Sequence, residues 1–200
     1  MYARVFSYTV EPGKLNERNH YGLELLSQTR QRLGFRGLLI LGNEKTSRSV
    51  AVQLWETEED MRASGNDPEY IRTLPHHPDQ GFIEGPVTVE DFEVMEYEPI
   101  TAQARAAWMV GYQAQPEVIE ERVRHAQEII APVLRALNGY HGRLLLADRA
   151  RAALMAVSLW QSMDDLEQAA ASGAYQQSLV RGGLPPADMK VEHLDVVHVE

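Results

Sequence analysis

"AVQLWETEEDM" occupies residues 51–61, and "AVSLWQSMDDL" occupies residues 156–166. Eleven positions recur at an offset of 105, with Ala, Val, Leu, Trp and Asp unchanged in place. Each stretch alternates side chains up to its Trp and then turns acidic, the pattern of a strand that runs into a helix start. Repetition at a fixed period has to be read before any fold is assigned, and here it spreads outward in both directions. "GFRG" at 34–37 answers "GYHG" at 139–142, again at 105. Upstream, Ala3, Tyr8, Pro12 and Glu17 match Ala107, Tyr112, Pro116 and Glu121 at 104. Downstream, Ser64-Gly65 matches Ser172-Gly173 at 108, and "VEDFEVMEYE" (89–98) aligns with "VEHLDVVHVE" (191–200) at 102. Offsets that drift by a few residues are what small loop insertions produce. The chain is therefore two copies of one unit, 1–98 and 106–200, joined by a linker at 99–105.

Both copies predict the same elements. "ARVFSYTV" (3–10) and "AAWMVGYQA" (106–114) are rich in β-branched and aromatic residues and predict strands. Pro12 and Pro116 stand where a helix begins, a place that tolerates a missing N–H. Apolar residues at three- and four-residue steps then predict a helix in each copy, running to Leu33 in one and to Leu137 in the other. Gly34 and Asn138-Gly139 stop these helices. Two further strands follow as a hairpin, with Gly42-Asn43 and Ala147-Asp148 in the connections. Thr57 and Ser162 predict N-caps, and the acidic residues just after them suit a positive helix end. A Pro- and Gly-containing loop leads to the last strand. The order is β-α-β-β-α-β, a ferredoxin-like unit of the α+β class. On the strand at 50–55, Val50, Val52 and Leu54 point one way, and Ala51, Gln53 and Trp55 the other. Both faces are apolar enough to be buried, so a second sheet is needed to cover the first. The two fused copies supply it as an intramolecular pseudo-dimeric α/β barrel.

Composition limits the function classes. The 29 acidic residues against 19 basic ones leave a formal charge of −10, which disfavours nucleic acid or an anionic membrane as partner. The absence of cysteine removes disulfides, thiol nucleophiles and Cys-ligated zinc. No apolar run approaches the roughly 20 residues of a membrane span. The start of the chain lacks the order of a secretory signal, so a cytoplasmic protein is expected. No Walker loop, GxGxxG fingerprint or nucleophile elbow occurs. No spaced ligand set accompanies the adjacent His76 and His77, so no metal, haem or flavin is expected.

The Trp-terminated strand followed by an acidic short helix ("LWETEEDM", "LWQSMDDL"), with "GFRGLLIL" and "GYHGRLLL" before it, resembles the dimeric α/β-barrel superfamily in its antibiotic-biosynthesis-monooxygenase-like branch. The resemblance covers essentially the whole chain, once per copy. It implies either a cofactor-independent monooxygenase acting on an aromatic or polyketide-like molecule, or a non-catalytic small-molecule-binding or structural protein built on the same fold, its pockets filled in the latter case. The haem-degrading relatives need an Asn on the first strand, a Trp on the short helix and a His soon after. Those positions fall near Phe6 or Ser7 and near Ser64 in the first copy, and near Val110 or Gly111 and near Ala169 in the second. Only His76 and His77 come near the third element, so haem degradation is disfavoured.

Within that frame, Tyr8, Trp55, Tyr112 and Trp160 are the candidate substrate-binding residues, since each pair recurs at matching positions and offers aromatic surface. Packing is the competing role for all four. On the last strands, Asp91 and Glu93 match His193 and Asp195. A His beside a carboxylate suits proton transfer, which makes His193 and Asp195 the candidate catalytic pair. The implied ligand is an aromatic or apolar small molecule. The fused chain is expected to be a monomer or a weak homo-oligomer.

Overall fold

The computed structural model describes residues 1–182 and 189–200. The first copy contributes β1 (Tyr2–Val10), α1 (Leu15–Glu24), α2 (Leu26–Thr29), β2 (Phe35–Asn43), β3 (Arg48–Trp55), α3 (Glu58–Gly65), α4 (Pro68–Thr73) and β4 (Ile83–Tyr97). The second contributes β5 (Ala106–Gln113), α5 (Ile119–His125), α6 (Ala131–Arg135), β6 (Tyr140–Asp148), β7 (Ala153–Trp160), α7 (Met163–Ala171), α8 (Gly173–Arg181) and β8 (Lys190–Val199). The order is β-α-β-β-α-β twice, with each helical segment broken in two. Hydrogen bonds link the strands in the order β1-β3-β2-β8-β5-β7-β6-β4, which closes on itself as an α/β barrel. The Pro- and Gly-containing loop expected before β8 lies mainly outside the described residues.

Two compact units emerge, Met1–Phe92 with Val196–Glu200, and Glu93–Asp195. Their boundaries fall inside β4 and β8, so the last strand of each sequence repeat is divided. In the first unit β3 is central, antiparallel to β1 and β2, with Arg4 opposite Gln53 and Leu38 opposite Gln53 on the other side. The end of the chain completes this sheet. Leu38 N–H donates to Glu200 O at 3.2 Å, and Glu200 N–H donates back at 3.0 Å. Val50 through Trp55 are all buried, so both faces of β3 are covered. In the second unit β7 is central between β5 and β6, β8 flanks β5, and the end of β4 flanks β6. There Glu98 N–H donates to Arg143 O at 2.9 Å.

The repeated motif now has its physical account. Thr57 and Ser162 each accept a hydrogen bond from the backbone N–H three residues on, at 3.1 Å, while their hydroxyls donate to the Asp60 and Asp165 carboxylates. This reciprocal cap starts α3 and α7. Gly34 and Gly139 have φ of +74° and +75°, and each packs its Cα against that same Asp side chain. A Cβ there would be strained and would collide. Thus the "GFRG" and "GYHG" turns and the acidic caps are parts of one joint, written twice.

Three expectations change in detail. The first-copy helix stops at Thr29 rather than Leu33, and Leu33 is 84% exposed because it lies in the turn before Gly34. In the second copy, Pro132 lacks the N–H that a continuous α-helix needs. The backbone passes through a π-helical turn, Ala126–Ile130, between α5 and α6. The Ser64-Gly65 and Ser172-Gly173 match at 108 is not structural. Ser64 lies inside α3, whereas Ser172 caps α8, and its counterpart as a cap is Asp67 of α4, at 105.

Candidate functional site

Helix α4 is where the two copies part. Asp67 caps α4 and Ser172 caps α8, and Tyr70 and Tyr175 follow at the same step. At the offset of 105, Leu74, Pro75 and His76 are answered by Leu179, Val180 and Arg181. A residue before proline avoids the helical region, and Leu74 is accordingly extended, with φ −67° and ψ 142°. So α4 ends at Thr73, while α8 continues to Arg181. The released chain lays the His76 ring on Phe6 of β1, with centroids 4.1 Å apart and planes at 25°.

Beside that stack lies a cavity of about 490 Å³. It is bounded by β1 and β3 (Arg4, Phe6, Gln53), by α4 (Tyr70) and the following loop (His76), and by the start of β4 (Val87). The Arg4 guanidinium turns aside to Asp91, at 2.7 and 2.8 Å, and donates to Met61 O at 3.2 Å. It lies over Gly65, where any Cβ would strike it. The Tyr70 hydroxyl is 2.9 Å from Thr29 Oγ1 and accepts from Gln53 Nε2 at 3.4 Å, and Arg32 covers the ring at 4.2 Å. Burial raises the Tyr70 pKa despite these partners, so the phenol stays protonated. Burial, followed by the Arg18 and His77 charges, lowers the His76 pKa to about 3. At neutral pH the cavity wall therefore presents an uncharged imidazole. His77 Nδ1 is engaged by the Asp79 N–H at 3.3 Å. Among the described residues no group of three or more His, Asp or Glu side chains could hold a metal ion.

At the matching place in the second unit, the described residues leave far less room. Trp108, which stands where the first copy has Arg4, packs on Tyr175 with centroids 4.5 Å apart. Together with Leu179 and neighbouring side chains it leaves about 40 Å³. Arg143 is buried in this wall, with Nη1 donating to Ala126 O at 2.9 Å and facing Glu96 at 3.3 Å.

The residues singled out from sequence are dispersed. Tyr8 is buried, 6.0 Å from His76 between centroids, and its hydroxyl lacks a partner among the described residues. Trp55 shares a face with Gln53 but sits at the strand end against Phe35, outside the cavity wall. Trp160 packs on Tyr140 in the same way, with Nε1 donating to Ser158 Oγ at 3.1 Å. Tyr112 lines the small second space, where burial lifts its pKa to about 12. His193 meets the Trp108 ring edge-on at 6.3 Å, and Asp195 is exposed. Neither lines the large cavity. Sequence reasoning missed Arg4, Phe6, Gln53 and Tyr70 as wall residues, and it weighed His76 as a metal ligand and against the haem-degrading pattern, not as part of a cavity wall. The available signal was Pro75 opposite Val180, a proline where the other copy continues its helix.

The sequence matches no family model and no curated protein. Solved structures do match over the full chain. A protein from Fusobacterium nucleatum with a provisional monooxygenase assignment superposes with a TM-score of 0.76 at 13% identity, covering 100% of this chain and 93% of that one. An anthrone oxidase-like protein gives 0.72 at 14% identity, covering 100% and 92%. The chain shares their fold. A ferredoxin-fold protein from Listeria monocytogenes, described as related to antibiotic biosynthesis monooxygenases, gives 0.57 at 11% identity, covering 97% and 94%. The closed α/β barrel expected from the repeated motif is thus the architecture found, and these proteins share it. At these identities the likeness concerns fold, and function has to be argued from the site. Among the described residues no helix is long and apolar enough to cross a membrane.

Proposed function

We propose that the first unit binds a hydroxylated aromatic or polyketide-like molecule, and that the protein is a cofactor-independent monooxygenase acting on it. The observation that carries this reading is the cavity of about 490 Å³, walled by Phe6, Tyr70, Leu74, Ile83 and Val87, with the neutral His76 ring at its side. Its volume falls in the range of small-molecule sites, and apolar walls with few polar groups suit such ligands. The fold shared with an anthrone oxidase-like protein supports the substrate class.

The chemistry needs a carbon acid, such as a methylene between two aromatic rings. His76, as proton acceptor, takes one proton and leaves a delocalised carbanion. A pKa of about 3 makes the free imidazole a weak base. Burial is the larger cause of that low pKa and persists, while a negative charge forming beside the ring offsets the smaller lowering by the Arg18 and His77 charges. The carbanion gives electrons to dioxygen, a C–O bond forms, and a hydroperoxide results. Loss of the second proton from that carbon, with cleavage of the O–O bond, releases water and leaves a ketone. In balance, one methylene and one dioxygen become one ketone carbonyl and one water, with all four electrons drawn from the substrate. The protein contributes shape, exclusion of water and proton transfer.

Oxygen-electrode measurements with a panel of anthrones and hydroxylated polycyclic aromatics test the reading. The expected result is substrate-dependent uptake that His76→Phe reduces about a hundredfold, the usual order for an acid–base residue. Saturable binding without uptake would leave a binder, the second class implied by the fold. Absence of both would refute the reading.

A further inference from the structure

Arg18 projects from α1 with only 2% of its surface exposed. A guanidinium withdrawn from water needs an anion or a full set of acceptors, and this one has neither. Nη1 donates to the adjacent Asn19 Oδ1 at 2.9 Å, and the guanidinium carbon lies 5.2 Å from the centre of the Tyr8 ring. Nε has no hydrogen-bond partner among the described residues, and no carboxylate among them pairs with this side chain. Tyr8 Oη is a second buried group without a partner among the described residues. The contrast with the other unit lies in the acid: the equally buried Arg143 also leaves Nε without a partner among the described residues, but it faces Glu96 at 3.3 Å. At the offset of 105, Leu38 occupies the position of Arg143. The first copy thus carries its buried cation on a different element and provides no acid for it.

The space in front of Arg18 is a recess of about 30 Å³, floored by Gly22, Leu38 and Ile40. Phe6, Gln53, Leu74 and His76 line both this recess and the large cavity. About 10–15 Å³ of accessible space is enough to admit one water-sized group, so the recess takes an oxygen atom, while the large cavity has the room for an aromatic body. What Arg18 lacks is an acceptor, and an ionised one best offsets its charge.

We infer that the recess is an oxyanion subsite, taking the negatively charged oxygen of a ligand whose aromatic body fills the large cavity. The inference rests on the ligand-binding part of the proposed function and narrows it to phenolates, enolates and aromatic carboxylates. Arg18 acts as the binding cation there. In the oxygenase reading, the same contact would hold the substrate as its enolate.

Calorimetric titration of the full chain with 2-naphthoate and its neutral analogue 2-naphthamide tests the charge requirement. Naphthoate should bind at least about tenfold more tightly. In Arg18→Met the preference should vanish, while the ligand-free melting temperature stays level or rises, because an unpaired buried charge has been removed. A purely structural arginine would lower the melting temperature and leave the preference intact. Equal affinity for the two probes in the native chain, no binding of naphthoate, or a preference that survives Arg18→Met would each overturn the inference. Oxygen uptake does not enter these readouts, so failure of the oxygenase reading and failure of the subsite are told apart.

Discussion

Arg4 holds Asp91 through two hydrogen bonds, 2.7 Å from Nε and 2.8 Å from Nη2, at the place where the second unit sets Trp108 edge-on against His193. One pair keeps its long side chain tied to a strand and leaves room beside it. The other fills the room with an indole. Transplanting the second pair into the first unit, as Arg4→Trp with Asp91→His, should close the cavity. Fluorescence titration with 2-naphthol should then show affinity lowered by at least about tenfold. Unchanged affinity would mean that the probe binds elsewhere.

The repeated tryptophans belong to the packing. Trp55 is 1% exposed and Trp160 is 0% exposed, and each meets an aromatic ring at a centroid distance of 5.6 Å. Trp55→Ala and Trp160→Ala should each cost about 3–5 kcal/mol. Denaturant melts giving under about 1 kcal/mol for both would contradict this, since such values belong to exposed positions.

His76 gives stability a defined pH dependence. Its pKa is about 3 in the folded chain, against about 6.5 in an unfolded one. Above pH 6.5 both states hold the ring neutral, and its burial carries no protonation cost. As pH falls from 6.5 towards 3, the unfolded state takes up the proton first, so stability declines by up to about 1.4 kcal/mol per pH unit. Urea melts of the native chain and His76→Phe, compared at pH 7 and pH 4.5, isolate this contribution. The native chain should lose more than the variant, and equal losses would place the ring in water.

Removing either reciprocal cap, as Thr57→Ala or Ser162→Ala, should cost about 1 kcal/mol. Because the caps lie on separate helices with no shared partner, the double variant should cost the sum to within about 0.5 kcal/mol. A clear excess over the sum, again by denaturant melts, would reveal coupling between the joints.

The architecture was legible because its determinants are local. A Thr or Ser three residues before an Asp, a Gly where φ is positive, and alternation along β3 each act within a few residues, and each occurs twice. The cavity was not legible, because it arises from differences between the copies rather than from what they share. Reading for repeated residues drew attention to Trp55, Trp160, Tyr8 and Tyr112. The space depends on Arg4 standing where Trp108 stands, and on Pro75 cutting short the helix that Val180 continues. Arg18 was invisible for another reason. Its counterpart Arg122 is only partly buried, so nothing in the pattern marks the first arginine as enclosed.

The last strand of each repeat is hydrogen-bonded to the second strand of the other, Glu98 to Arg143 and Glu200 to Leu38. Neither repeat owns a complete sheet. Residues 1–98 expressed alone would leave β2 an open edge and their own tail unpaired, an invitation to self-association. Mixed with 106–200, the same fragment has a defined partner for both. A protease cut in the 99–105 connection would accordingly leave a two-chain protein held together by backbone hydrogen bonds. The chain offers itself as a split reporter, whose halves complete each other's sheets when they meet.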